Sequence, residues 1–403
     1  MNIGRLAWFG LAGICLALTP PAPAQPAFNS GSTGADGILD VTTLTILDVP
    51  PNGIFNFTTV TVRAGRTLRF NRNVLNTPVH ILATGDIRID GTIDVSGQSG
   101  TSSPPVAGAG GPGGFDGGTP GILGVAPGAG QGPGAGLGGT PSPPYENSSA
   151  GSAAYGSRTN HVTDKDGEVY GSALLVPLVG GSGGGGTSGQ PGRGGAGGGG
   201  AILLSSNTKV EVFGTIRARG GDNDGTSGSL VSGGQGSGGA IRCVAPVVSG
   251  TGTLDVRGGR TSWTNTEGGA GRIRIDTIYR SQLAFDYQPT TVVSIGSYMA
   301  SFATPQPRLD IISVAGRAIL EGTGEAVSIF MPLGSSASQT ITLQARDFVP
   351  QGNIPVRIQL TPQDGDPVVY DTTINMSQGN PATRDVEVAI PQNTLTFIHA
   401  WTR

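Results

Sequence analysis

The sequence predicts an all-β protein: a right-handed parallel β-helix with Gly-rich loops, followed by a small antiparallel β-sandwich. Three observations carry this. A strand-and-glycine pattern returns several times between residues 81 and 276, and apolar and polar residues alternate within each copy. The composition is the third: 71 Gly and 29 Pro in 403 residues is roughly twice the usual share of chain breakers, and 5% aromatic residues are too few for one deep core. Many thin layers suit such a chain better than a helical globule.

At the N-terminus, Arg5 precedes the apolar run Leu6 to Leu18, Pro20 and Pro21 interrupt it, and Ala22, Pro23 and Ala24 form the small-x-small pattern of a signal-peptide cleavage site. Residues 1–24 are therefore expected to be removed. The apolar run would span only about 20 Å as a helix, too short for a bilayer core of roughly 30 Å. No transmembrane anchor is expected after cleavage, and the expected location is secreted, extracellular or at the cell surface, with the periplasm possible. Cleavage would remove Cys15 and leave Cys243 as the sole thiol, so no internal disulfide can form.

Residues 25–54 are expected to be an N-terminal segment or cap, and residues 55–300 the β-helix. In T-V-T-V-R-A-G-R-T-L-R-F-N, residues Val60, Val62, Leu68 and Phe70 share one parity and would form a first coil. The fullest copies are I-L-A-T-G-D-I-R-I-D-G-T-I-D-V-S-G at 81–97, A-I-L-L-S-S-N-T-K-V-E-V-F-G-T-I-R-A-R-G-G at 201–221 and A-I-R-C-V-A-P-V-V-S-G-T-G-T-L-D-V-R-G-G at 240–259. A partial copy opens at 269–276. Ile87, Ile89, Ile93 and Val95 point one way, and Arg88, Asp90 and Asp94 the other, which is a strand period. In the next copy Val210, Val212, Ile216 and Ala218 share the inward parity. The Gly of each G-T pair also falls on that parity, where a missing side chain lets two short strands meet at a corner. Such units cannot bury their apolar faces alone, so they should stack at about 4.8 Å per layer.

Residues 101–200 hold 34 of the 71 glycines. Two arrangements suit them: flexible loops, or extended polyproline-II-like segments whose backbones approach closely because only Gly permits it. The insertion at about 100–200 is expected to loop out over most of residues 100–180. The short runs just before each strand, Gly198 to Gly200, Gly238 to Gly239 and Gly268 to Gly269, are expected to pack.

Residues 301–403 contain only seven glycines. Strand patterns at 309–314, 326–331, 340–346, 355–360, 368–374, 385–390 and 394–400 predict the sandwich.

The chemistry is sparse. The net charge of −3 has no long block of either sign, which argues against nucleic acid as a partner. His80, His161 and His399 lie in no hydrolase or zinc motif. Asp94 and Asp255 occupy equivalent outward strand positions and, with Trp263 nearby, are the candidate residues for contact with a polysaccharide. Asp222 with Asp224, and Asp164 with Asp166, place carboxylates two apart before a Gly turn. They are candidate calcium ligands, the only cofactor considered, although an ordinary Asx turn explains each pair as well.

The pattern G-G-x-A-I-x-[LC] leading to G-T-[IL]-x-[VA]-x-G-G resembles that of large Gly-rich β-helical proteins exported by bacteria, some of them surface adhesins. The resemblance covers about residues 55–280. It implies a non-enzymatic secreted or cell-surface structural or adhesion protein, with a cell-surface or matrix component as partner. The alternative is a polysaccharide-binding or polysaccharide-cleaving β-helix protein.

Overall fold

A computed structural model describes residues 28–121, 126–140, 149–160, 162–188, 192–223, 233–261, 266–303, 305–320, 327–348, 352–362 and 368–402. Its described residues are all-β, with two three-residue 3-10 turns as the sole helical elements.

Strands appear in successive groups. The first is β1 (Gly37–Val41) and β2 (Thr45–Asp48), the second β3 (Ile54–Val62) and β4 (Thr67–Asn71). The third is β5 (Val79–Ala83), β6 (Ile87–Ile89) and β7 (Thr92–Asp94), followed by a small hairpin, β8 (Thr101–Ser102) and β9 (Pro105–Val106). Beyond the Gly-rich stretch come β10 (Ala201–Ser206), β11 (Lys209–Val212) and β12 (Thr215–Arg217), then β13 (Ala240–Ser249) and β14 (Thr253–Asp255). The last group is β15 (Arg272–Tyr279), β16 (Asp286–Gln288) and β17 (Val293–Gly296).

These strands form two parallel sheets. One has the order β16-β14-β12-β7-β4-β2. In the other, pairing runs β3-β5-β10-β13-β11-β6 and returns to β3, a closed circuit of six parallel strands, with β1 added on β3 and β15 and β17 beyond β13. The similar stretches of sequence lie side by side, so like residues form ladders. Val79, Ile202, Ile241, Ile273 and Val293 align in one sheet, and Leu68, Ile93, Ile216, Leu254 and Tyr287 in the other. The parity read from the sequence holds: Ile87, Ile89, Ile93, Val210, Val212 and Ile216 are fully buried in one continuous core. At the corners Gly91, Gly214 and Gly252 sit in line, each pressed against the backbone of a neighbouring layer. The segment read as a cap contributes β1 and β2, so a layer precedes the stretch read as the first coil.

The expectation of an external loop over residues 100–180 is not met, since most of the described glycines there are buried. Successive N–H groups of residues 194–200 bond in rotation to three different neighbours. Gly194, Gly197 and Gly200 donate to the carbonyls of Thr101, Gln98 and Val95 (2.7–3.1 Å); Gly195 and Gly198 to Gly118 and Phe115; Ala196 and Gly199 to Gly234 and Ser237. That rotation is the three-residue turn of polyproline II, here with its lateral groups bonded to other chain segments instead of water. Ordering costs about 1–2 kcal/mol per residue, which argued for loops; the lattice offsets it with backbone hydrogen bonds and close packing along every side.

Lattice position also explains the spacing of the glycines. Residues 183–186 and 197–200 are surrounded, and a Cβ on any of these eight would collide with a neighbouring backbone. A segment nearer the surface alternates instead: in 128–139 most glycines are buried, while Ala129, Gln131 and Ala135 are half-buried and Leu137 is exposed.

Among the described residues the C-terminal part has seven strands: β18 (Arg308–Val314), β19 (Arg317–Ala318), β20 (Ser338–Arg346), β21 (Asn353–Pro362), β22 (Val368–Asn375), β23 (Ala382–Ala389) and β24 (Thr396–Thr402). They make two antiparallel sheets, β19-β18-β20-β23 and β22-β21-β24, over a common core that includes Ile341, Leu343, Val356, Ile358, Leu360 and Ile374. Residues 327–331, read as a strand, pair with nothing among the described residues: Ile329 and Met331 pack on the core while Phe330 is exposed.

Candidate binding surface

The outer face of the smaller parallel sheet carries two columns. Thr67, Thr92, Thr215 and Thr253 form one; Arg69, Asp94, Arg217, Asp255 and Gln288 form the other. The second alternates in sign, so neighbouring charges one strand apart attract. Asp94 lies 3.3 Å from Arg69. Asp90 accepts from Nε and Nη2 of Arg88, at 2.8 and 2.9 Å.

Asp255 departs from the outward, accessible position assigned to it. It is 3% exposed, because Arg257 folds over it with hydrogen bonds of 2.9 and 2.7 Å and Arg219 approaches to 3.8 Å. Guanidinium groups thus neutralise Asp90, Asp94 and Asp255, leaving no pair of free carboxylates among these three for acid–base work. Asp94 and Asp255 belong to one column, with Arg217 between them.

Trp263 and Asp224 lie outside the described residues. Asp222 accepts from the Arg260 N–H at 2.8 Å. Asp166 is committed to turns: Oδ1 accepts from the Ser152 N–H (2.5 Å), and Oδ2 accepts from the N–H and hydroxyl of Thr163 (2.5 and 2.9 Å). Asp164 is exposed. The lattice thus uses Asp166 and Asp222 as acceptors for N–H groups. Among the described residues there is no group of three His, Cys, Asp or Glu that could hold a metal ion.

Sequence reasoning missed the outer face of the larger parallel sheet. That face is covered by residues 28–30 and 298–302, with Leu82, Leu203 and Val244 packed beneath Phe28, Met299 and Phe302. Arg242 is buried there: it bonds the carboxylate of Asp276 at 3.2 Å and the carbonyls of Ala300 and Ser301 at 2.7 and 3.0 Å. Burial pulls its pKa down while Asp276 pulls it up. Arg274 grips the other oxygen of Asp276. The available signal was an Arg and an Asp at matching parity in adjacent copies, a pattern that a solvated face also produces. Cys243, one residue on, is a free thiol inside the stack, and burial pushes its pKa up to about 12.

The most regular feature is the far end of the glycine lattice. Gly200, Gly239 and Gly271 lead directly into β10, β13 and β15. At the opposite end the described ends of the segments are tied together: Gly121 to Thr187, Gly139 to Gly186, Gly194 to Thr101, Asn223 to Arg260, and Glu267 to Asn160. Several segment ends are therefore held together at one end of the lattice. No helix among the described residues is long and apolar enough to cross a membrane.

No family model, curated protein or solved structure matches this chain.

Proposed function

We propose that the protein is an exported, non-enzymatic structural or adhesion protein, secreted or held at the cell surface, that presents the distal end of its glycine lattice to a cell-surface or matrix component. The observation that carries this reading is the lattice itself, a laterally hydrogen-bonded body whose segment ends are tied to one another at the end remote from the sheets. Trp263, outside the described residues, lies in sequence between Thr261 and Thr266, whose backbones are bonded to each other at 3.1 Å. The neutralisation of Asp90, Asp94 and Asp255 by arginine favours contact over cleavage.

Within this reading the parallel stack is a right-handed parallel β-helix and the C-terminal part a small sandwich. Support for a helix over a closed barrel comes from the way the circuit closes. β5 and β6 are consecutive, three residues apart, and both lie along β3; β10 and β11, two residues apart, both lie along β13. Each pair acts as one interrupted strand, and the circuit is then a flat stack.

The test is retention of purified residues 25–403 on a panel of insoluble and immobilised polysaccharides, with supernatants assayed for new sugar ends. Retention without new ends, reduced by Trp263→Ala, is the expected result for a glycan component. Release of sugar ends would overturn the non-enzymatic reading. Absence of retention directs the search to protein components of the surface.

A further inference from the structure

The C-terminal module rests on the glycine lattice through one face of the sheet β22-β21-β24. On β21 the side chains alternate: Val356, Ile358 and Leu360 enter the module's own core, so Arg357 and Gln359 face outward, opposite Trp401 and His399 of β24. Gln359 and Trp401 are nevertheless buried, because the lattice covers them. The ring of Trp401 lies 5.6 Å from that of Phe115, at an angle of 56°. Beside this contact the packing opens into a cleft of about 290 Å³ lined by Pro133, Glu168, Val169 and Tyr170 on the lattice side and Pro355 on the module side.

The junction is poorly bonded. Among the described residues no hydrogen bond or ion pair crosses it, and the buried Trp401 Nε1 and His399 Nδ1 have no partner. Each forfeits a hydrogen bond that water would supply. The contrast is with the connector before the module, which Arg242 clamps through three backbone carbonyls. The tether is fixed and the docking contact is not.

We propose that the C-terminal module is releasable: it docks on the glycine lattice through Trp401 and Phe115, and protonation of His399 frees it while the connector stays clamped. The charged groups around His399 are few and largely paired. On the lattice side Asp116 and Arg72 form an ion pair with each other, and Glu168 at the cleft pairs with Arg158. On the module side Arg357 pairs with Asp371 across β21 and β22. Burial holds the His399 pKa below its ordinary value; Asp116 pulls it up and Arg72 pulls it down. A neutral imidazole is therefore favoured in the docked form, whereas in water it titrates at about 6.5. Docking is then complete above that pH and weakens as the pH falls.

Residues 25–403 with Trp263→Phe leave Trp401 as the sole tryptophan. Its emission should shift to the red between pH 7.5 and 5.0, the radius of gyration from small-angle scattering should rise in parallel, and the far-UV circular dichroism should stay constant. His399→Gln should keep the pH 7.5 emission and lose the shift. Phe115→Ala should give red-shifted emission at both pH values. An unchanged emission and radius, a shift that survives in His399→Gln, or a shift accompanied by lost dichroism would each overturn the proposal.

Discussion

Gly197→Ala is the sharpest test of the lattice. Gly197 donates to the Gln98 carbonyl at 2.9 Å and accepts from the Gly221 N–H at 2.8 Å. A Cβ there would fall on the carbonyl of Ala109 and lie 2.7 Å from Gly110 N. Restoring ordinary contact of about 3.5 Å requires the 107–111 segment to move away by roughly 1 Å. Such overpacking costs about 1–3 kcal/mol. The same shift strains the bond from Gly108 to Gly195, at 2.8 Å, and that from Gly111 to Gly198, at 3.0 Å. A buried group left unsatisfied costs about 1–3 kcal/mol. The entropic gain of Gly to Ala, about 0.4–1 kcal/mol, is smaller than either. A net loss of about 4 kcal/mol is expected, a large part of the roughly 5–15 kcal/mol typical of a folded protein. Gly352→Ala is the control, since nothing lies within 4 Å of its Cβ and its φ is not positive. Urea unfolding followed by circular dichroism measures both. Equal midpoints for Gly197→Ala and wild type would refute the close-packed lattice.

Ile216→Ala, in the middle of the ladder from Leu68 to Tyr287, should lose about 2–5 kcal/mol in the same assay, and an unaltered midpoint would contradict its inward position. Deletion of residues 104–144 should lower the melting temperature sharply, because Gly180, Gly183, Gly186, Gly195 and Gly198 all donate into that segment; a melt like that of wild type would restore the external-loop reading. Arg242→Met should cost about 3 kcal/mol by leaving the buried Asp276 half-compensated, read as a lower urea midpoint. His80 supplies a pH dependence: burial lowers its pKa to about 4, and its ring lies 5.1 Å from that of Phe302. The folded state disfavours the proton, so this stability is complete above about pH 6.5 and is lost as the pH falls towards 4, by on the order of 2 kcal/mol allowing for its partial exposure. His80→Gln should flatten unfolding free energy over that range.

The stack was legible because strand parity is a local signal. One Ile at the wrong parity would put a large apolar side chain in water and a charge in the core, so Ile87 to Val95 and Val210 to Ala218 reveal their inward face without any tertiary information. The C-terminal strands were legible for the same reason. Residues 327–331 show the limit: alternation marks which side chains turn inward, whereas a strand also needs a backbone partner. Asp255 shows another, since its burial comes from the side chain of Arg257 two residues on and from Arg219 in the adjacent segment. Nothing in the strand pattern distinguishes it from Asp94.

The short runs at 198–200, 238–239 and 268–269 pack as expected, but the stretch at 100–180 was misread as loop for a deeper reason. Periodicity reasoning tracks side chains, and a segment such as 183–186 has none to track. Its information is carried by the absence of Cβ atoms and can be recovered by counting neighbours. A three-residue turn presents three sides, and where all three meet other segments Gly dominates, with only occasional residues such as Ala196 and Ser182 enclosed beside it. At 197–200 every Cβ would meet neighbouring backbone, whereas in G-A-G-Q-G at 128–132 Ala129 and Gln131 are half-buried. The long Gly runs at 183–186 and 197–200 lie at the centre of the lattice, Ala129, Gln131 and Leu137 lie towards its surface, and Ala196 and Gln235 are buried within it. A flexible linker would show no such relation between run length and burial, so substitutions at Ala129 or Leu137 should be tolerated where the same substitutions at Gly184 or Gly198 are not.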